Sequence, residues 1–117
     1  MSNFICEYCL KVQHKLDHEC HEHLHFKICK QLGQIYAFKN MAYGDAFGKT
    51  FRELGIISAL TRMVDKMERV KKLVTAPSVD TGDESIEDTL RDLANYCIMT
   101  LMEISKAKNL TNDPNKE

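Results

Sequence analysis

The chain has no tryptophan, only two prolines and only five glycines among 117 residues. That scarcity excludes collagen-like, proline-rich and other low-complexity architectures. It holds no run approaching the roughly 18 apolar residues of a membrane span. A dominant charge is missing too, since 16 Lys and Arg stand against 17 Asp and Glu for a formal net charge of -1. So balanced a chain has no global attraction for a nucleic-acid polymer or an anionic membrane, and any electrostatic binding must be local. Met1 to Leu10 show neither a basic leader nor a small-residue cleavage site. The expectation is therefore no signal peptide and a cytoplasmic protein. The five cysteines are odd in number, with Cys97 far from the other four. This argues for reduced thiols, some on metal, rather than a disulfide framework.

What is present is helical periodicity. The length suits one domain, divided into a Cys/His-rich segment over 1–20, an all-α region over 21–105 and a flexible polar tail over 106–117. A first helix is expected from about His21 to Phe38, with Leu24, Ile28, Leu32, Ile35 and Tyr36 on one face. Residues 39–50 mix two glycines, two aromatics and an Asp without a steady period, which reads as a structured loop. A second helix is expected over roughly 50–74, with Leu60, Met63, Val64, Met67, Val70 and Val74 on one side and Pro77 beyond its end. A third starts near Asp83–Ser85, where Ser85 and Asp88 resemble a capping box. Its stripe is Ile86, Leu90, Leu93, Cys97, Leu101 and Ile104. From Tyr96 to Ile104 the third helix is apolar nearly all round, as a helix buried on every side would be. Three helices hardly enclose it. The fold class expected is an antiparallel all-α bundle completed by homo-oligomerisation, as dimer or tetramer.

The polar faces of the second and third helices carry the chemistry. Glu84, Asp88, Arg91 and Asn95 recur at steps of four, three and four on the third helix, with Asp92 at the edge and Glu87 on the other flank. Crowded carboxylates repel unless protons or a cation intervene, and Mg²⁺ holding a phosphate chain would answer that. On the second helix Arg62, Lys66 and Arg69 repeat at four and three, with Asp65 and Glu68 nearby. The bland alternative is an interhelical salt-bridge ladder, each exposed pair contributing about 0–1 kcal/mol. The Arg62 stripe also stands well away from its helix's apolar face, so a site there needs a second subunit to close it.

Three strings carry a resemblance: Lys39-Asn40-x-x-Tyr43-Gly44-Asp45-x-Phe47, Arg62-x-x-Asp65-Lys66-x-x-Arg69, and Glu84-Ser85-Ile86-Glu87-Asp88-Thr89-Leu90-x-Asp92-Leu93-x-Asn95-Tyr96. In this order they resemble the phage-associated nucleotide-modification-associated domain (type 1), which is similar to the all-α nucleoside-triphosphate pyrophosphatases. The resemblance covers roughly residues 21 to 105. It implies an oligomer acting on deoxynucleotides in phage or prophage metabolism. Mg²⁺ would then be held by Asp65 and Glu68 on one helix and by Glu84, Glu87 and Asp88 on the next, with Glu84 and Asp88 as the catalytic carboxylates. Lys39, Asn40, Tyr43, Arg62, Lys66, Arg69 and Asn95 would contact the nucleotide, and the base could stack on Tyr43 or Phe47. The family's usual first pair is two glutamates; here it is Asp-x-x-Glu flanked by three cations, which favours direct phosphate binding over metal-dependent hydrolysis.

The first 29 residues hold four of the five cysteines and all five histidines. Cys6-x-x-Cys9 is a metal-knuckle spacing, and His21 and His25 lie one helical turn apart. Together they approach a tetrahedral Zn²⁺ set, with His18, Cys20 and Cys29 as surplus ligands. Gly44-x-x-x-Gly48-Lys49-Thr50 imitates a phosphate-binding loop, but it is one residue short and no strand precedes it. The leading expectation is a Mg²⁺-dependent (deoxy)nucleotide pyrophosphohydrolase. The alternatives are a non-catalytic binder that sequesters a nucleotide or nucleotide-like signal, and a zinc-stabilised protein-interaction module.

Overall fold

The computed structural model describes residues 4–5, 12–13, 20–76 and 85–112. Its elements are β1 (Phe4–Ile5), β2 (Val12–Gln13), α1 (His21–Tyr43), α2 (Ala46–Leu54), α3 (Ile56–Thr75) and α4 (Ile86–Asn112). The fold is all-α apart from the two-residue antiparallel ladder, which pairs Phe4 with Gln13 and Ile5 with Val12. The chain forms two compact units, residues 1–39 and 40–117. In the first, Leu32 is the one buried side chain among the described residues.

Four helices stand where three were expected. The first runs on to Tyr43, and it stops because Gly44 turns left-handed at φ 70 while its N–H bonds the Asn40 carbonyl at 2.8 Å. That is the usual use of glycine just past a helix end. The expected loop over 39–50 is thus the end of α1 and the start of α2. Gly48, Lys49 and Thr50 sit inside α2, which follows a helix rather than a strand in the chain, so the phosphate-loop likeness has no structural basis. The expected second helix is broken at Gly55, whose φ of 79 no right-handed helix accommodates. Its N–H closes α2 on Phe51, and its carbonyl accepts from the backbone and hydroxyl of Ser58 to open α3.

α3 and α4 run antiparallel, as Lys66 to Asp92, Arg62 to Tyr96 and Met63 to Cys97 show by their opposite progress along the two chains. In this register Arg62 lies opposite Tyr96, the residue next to Asn95. Ser85 caps α4, its hydroxyl accepting from the Asp88 amide at 3.1 Å as the capping-box pattern requires. α4 reaches Asn112 rather than fraying after Ser105. Lys106 bonds Glu103 at 2.9 Å one turn back, and Arg52 of α2 bonds the same carboxylate at 3.2 Å.

The most buried side chains of α4 are polar. Thr89, Asn95, Thr100 and Glu103 are buried, while Leu101 is 65% exposed and Cys97 and Ile98 also face outward. The buried hydroxyls are satisfied on their own helix, Thr89 to the Ser85 carbonyl and Thr100 to that of Tyr96. Of the stripe expected on α3, Leu60, Val64, Met67 and Val74 are exposed while Met63 and Val70 are half-buried, and the buried residue of the helix is Ala59. Cys97 Sγ meets Met63 Sδ at 3.9 Å.

Asp45, at the start of α2, is held by Arg52 at 3.1 Å. A Cβ on Gly48 would lie 2.5 Å from both Asp45 carboxylate oxygens, so the carboxylate folds across the first turn only because residue 48 is glycine. The hydrogen bond from Arg52 is the main reason that the Asp45 carboxyl lies below the ordinary carboxylate range; burial opposes it, and the charge of Arg52 adds to the lowering. A depressed folded pKa gives stabilisation that is present above the unfolded value, about 4, and is lost as pH falls through the folded one. Asp45→Asn should therefore melt about 1–4 °C below the parent at pH 6. The gap should close in more acidic buffer, as read by circular dichroism. Gly48→Ala, which pushes the carboxylate off Arg52, should flatten the acid dependence in the same way. An unchanged gap down to strong acid would remove Asp45 from this role.

Candidate functional site

The cationic stripe of α3 and the acidic side of α4 face one another. Arg62, Lys66 and Arg69 are all half-buried, as is Asp92, and Asn95 is buried outright. Their three- and four-residue spacing places the cations on the inward side of α3, opposite the exposed apolar stripe. Lys66 Nζ donates to Asp92 Oδ2 at 3.0 Å, with both side chains 22% exposed. A pair so sheltered is screened less by salt than a surface pair. Removing one member leaves the other charge short of both water and partner.

α2 closes one end of this seam with aromatic surface. Phe47 is buried and stacks on Tyr96 of α4, with ring centroids 6.0 Å apart and planes 15° from parallel. Phe51, one turn on, stacks on Phe47 at 6.4 Å. The Arg62 guanidinium carbon lies 5.2 Å from the Phe47 centroid and 6.0 Å from that of Tyr96. Contacts of this kind contribute about 0.5–2 kcal/mol according to how far the cation is desolvated. Arg62 meets rings where Lys66 meets a carboxylate. No acidic partner for Arg62 occurs among the described residues. The Nε of Arg69 is sealed from solvent.

The remaining expected site residues are arranged differently. Asp88 pairs with Arg91 at 3.1 Å and Glu68 with Lys71 at 3.1 Å, and all four side chains are exposed by two fifths or more. Asp65 and Glu87 are exposed. Glu84, expected as a catalytic and Mg²⁺-binding group, lies outside the described residues. Among the described residues no three Asp, Glu, His or Cys side chains converge as a metal site would require. The carboxylates proposed for Mg²⁺ are therefore not brought together there. Lys39, Asn40 and Tyr43 occupy the last turns of α1 and are exposed. His21 and His25 are exposed at the start of α1, while Cys6 and Cys9 lie outside the described residues.

Two features escape sequence reasoning. One is the packing of Arg62 on Phe47 and Tyr96, whose signal was the four-residue spacing of Phe47 and Phe51 between two glycines. The other is Glu103, only 6% exposed and shared between Arg52 and Lys106. Thr100 and Glu103 were the polar interruptions in an otherwise apolar run. If the Lys66–Asp92 pair holds the seam, Asp92→Asn should cost about 1–3 kcal/mol in urea unfolding. A double-mutant cycle with Lys66→Met should show coupling of about 1 kcal/mol. Strict additivity would mean that the two side chains act separately.

Residues 39–104 match the family described as nucleotide modification associated domain 1, a span that takes in more than half of the chain. No curated protein and no solved structure matches the chain. Among the described residues no helix is long and apolar enough to cross a membrane. The matched span takes in all of α2 and α3, the cations of the seam and α4 as far as Ile104. By that match the chain belongs to the nucleotide modification associated domain 1 family, whose name associates it with nucleotide modification.

Proposed function

We propose that the α3–α4 seam binds the phosphate groups of a nucleotide. Arg62 carries this reading: it is half-buried and lies against two rings, with no carboxylate partner among the described residues. Stacking uses the faces of a guanidinium and leaves its in-plane N–H donors for an oxyanion, which they grip in pairs. Lys66 follows one helical turn later, about 5–6 Å away by helix geometry. Its bond to Asp92 fixes its position and limits its flexibility. An anion entering this sheltered seam gains more from each cation than it would in open water. The nucleotide and phage-metabolism reading rests on the family association. Asn40 and Tyr43, exposed at the end of α1, are the candidates for contact with the base.

Family membership also supports a second reading, hydrolysis with Mg²⁺, in which Glu84 and Asp88 would be the carboxylates. Binding is preferred because Asp88 and Glu68 are each engaged by a basic neighbour. We further propose that a second copy covers the outward stripe of Leu60, Val64, Met67, Leu90 and Leu101, since each is at least two fifths exposed in the single chain.

Calorimetry with each dNTP and with inorganic pyrophosphate is expected to show binding that Arg62→Met weakens at least tenfold, about 1.4 kcal/mol. Arg62→Lys should not restore it, because an ammonium lacks the planar fork. Equal affinity in parent and Arg62→Met would refute the site. Release of monophosphate in the presence of Mg²⁺ would establish hydrolysis, and unchanged nucleotide together with binding would establish sequestration. Light scattering should report a dimer or tetramer that Leu101→Glu drives toward monomer. A monodisperse monomer of the parent chain would end the oligomer proposal.

A further inference from the structure

Glu103 is the one buried charged side chain among the described residues, and the phosphate-binding reading gives it no part. It carries an ion pair on each oxygen: Arg52 Nη1 donates to Oε1 at 3.2 Å and Lys106 Nζ to Oε2 at 2.9 Å. Lys106 is a neighbour on α4, whereas Arg52 comes from α2, so its bond ties one helix to the other. The other terminal nitrogen of Arg52 donates to Asp45 Oδ2 at 3.1 Å, which fixes the guanidinium plane between two carboxylates. Apolar side chains of similar volume often hold helices together as well as such a group does. What the ionic form adds is direction, because hydrogen bonds hold their partners at set angles.

The same two helices carry the rings beneath Arg62. Tyr96 and Glu103 stand two turns apart and so share a face of α4. On α2, Phe47 and Arg52 meet them in the same order. α2 therefore meets α4 through a ring stack at one point and an ion pair at another, roughly 8–10 Å apart by helix rise. Without the ion pair, the angle of this nine-residue helix on α4 would rest on apolar packing, which is non-directional. Its ends offer little resistance to a pivot. Gly44 and Gly55 both have left-handed backbone, and a Cβ on either would meet no atom within 4 Å among the described residues. Arg62 rests on the rings at the first point, 5.2 Å from the Phe47 centroid and 6.0 Å from that of Tyr96. A pivot of α2 carries Phe47 away from that guanidinium.

We infer that Glu103 is a positioning residue for the proposed phosphate site: through Arg52 it sets the angle of α2 on α4 and keeps the Phe47 and Tyr96 rings under the Arg62 guanidinium. The consequence for binding rests on the phosphate reading; the placement of Arg62 does not.

The test compares Glu103→Gln and Arg52→Gln with the parent chain and with Lys71→Gln, which removes an exposed ion pair within α3. Arg52 is half exposed, so its variant keeps the fold even where loss of the buried Glu103 charge does not. Nuclear magnetic resonance follows the Arg62 side-chain signals, assigned by their absence from Arg62→Met. In the parent the two rings should displace them upfield. Both clasp variants should return them toward the positions of an unstacked arginine, at temperatures where circular dichroism shows a folded chain. Lys71→Gln should leave them in place. By calorimetry the clasp variants should bind inorganic pyrophosphate about three- to tenfold more weakly. Unmoved Arg62 signals in folded Arg52→Gln, with only a lower melting temperature, would make the clasp a structural fastening and overturn the inference. So would displaced signals with unchanged affinity. A parent chain with upfield signals but no pyrophosphate binding refutes the phosphate reading, and the Arg62 signals then decide the placement alone.

Discussion

The pairing of Lys66 with Asp92 across two antiparallel helices sets the rest of this structure. Two amphipathic helices ordinarily bury their apolar stripes against each other. Here the charged stripes meet, and Leu60, Val64, Met67, Leu90 and Leu101 are left outside. Replacing a sheltered ion pair by apolar residues of similar size is often neutral or stabilising, so such a seam has no clear advantage as a means of holding helices together. The half-buried Arg62, Lys66 and Arg69 are what the proposed phosphate binding would use. In the proposed oligomer the outward stripe would supply the hydrophobic association that the seam does not.

The same inversion governs how α2 is used. A nine-residue helix is marginal by itself, and this one is held by what it touches. Phe47 packs on Tyr96, Arg62 lies over both rings, and Arg52 reaches Asp45 on one side and Glu103 on the other. Gly44 and Gly55 bracket the segment with left-handed backbone that lets the chain turn sharply at each end. The aromatic floor under Arg62 and the ionic clasp at Glu103 therefore belong to one small element.

Much of this was legible in the residues. The all-α class, the third helix with its Ser85 cap, and the spacing of Arg62, Lys66 and Arg69 all follow from period and capping chemistry, which are local. What failed was non-local or conformational. Gly55 fell inside the expected second helix, because a sequence shows that a glycine is present but not its φ. The segment 39–50 looked aperiodic because it joins the end of one helix to the start of another, and their phases do not match. The interhelical ladder weighed for the charged stripes is present in the Lys66–Asp92 pair, but the exposure of Leu60, Val64, Met67 and Leu101 was not legible, since periodicity finds faces and does not say which one is covered.

The charge arrangement also bears on how the family's association with nucleotides is expressed in this chain. A divalent ion requires several carboxylate oxygens converging within about 2.0–2.6 Å of one point. Among the described residues, Asp88 and Glu68 instead turn to Arg91 and Lys71, and Asp92 turns to Lys66. Each of those carboxylates would have to leave a cation to reach a metal. An anion meets the opposite situation, because the half-buried Arg62 guanidinium is already positioned by Phe47 and Tyr96. Preorganised donors bind without paying the ordering cost that flexible ones incur. At this seam the interaction that needs least rearrangement is cation with phosphate, and metal chemistry, if the chain performs any there, must be built on top of it.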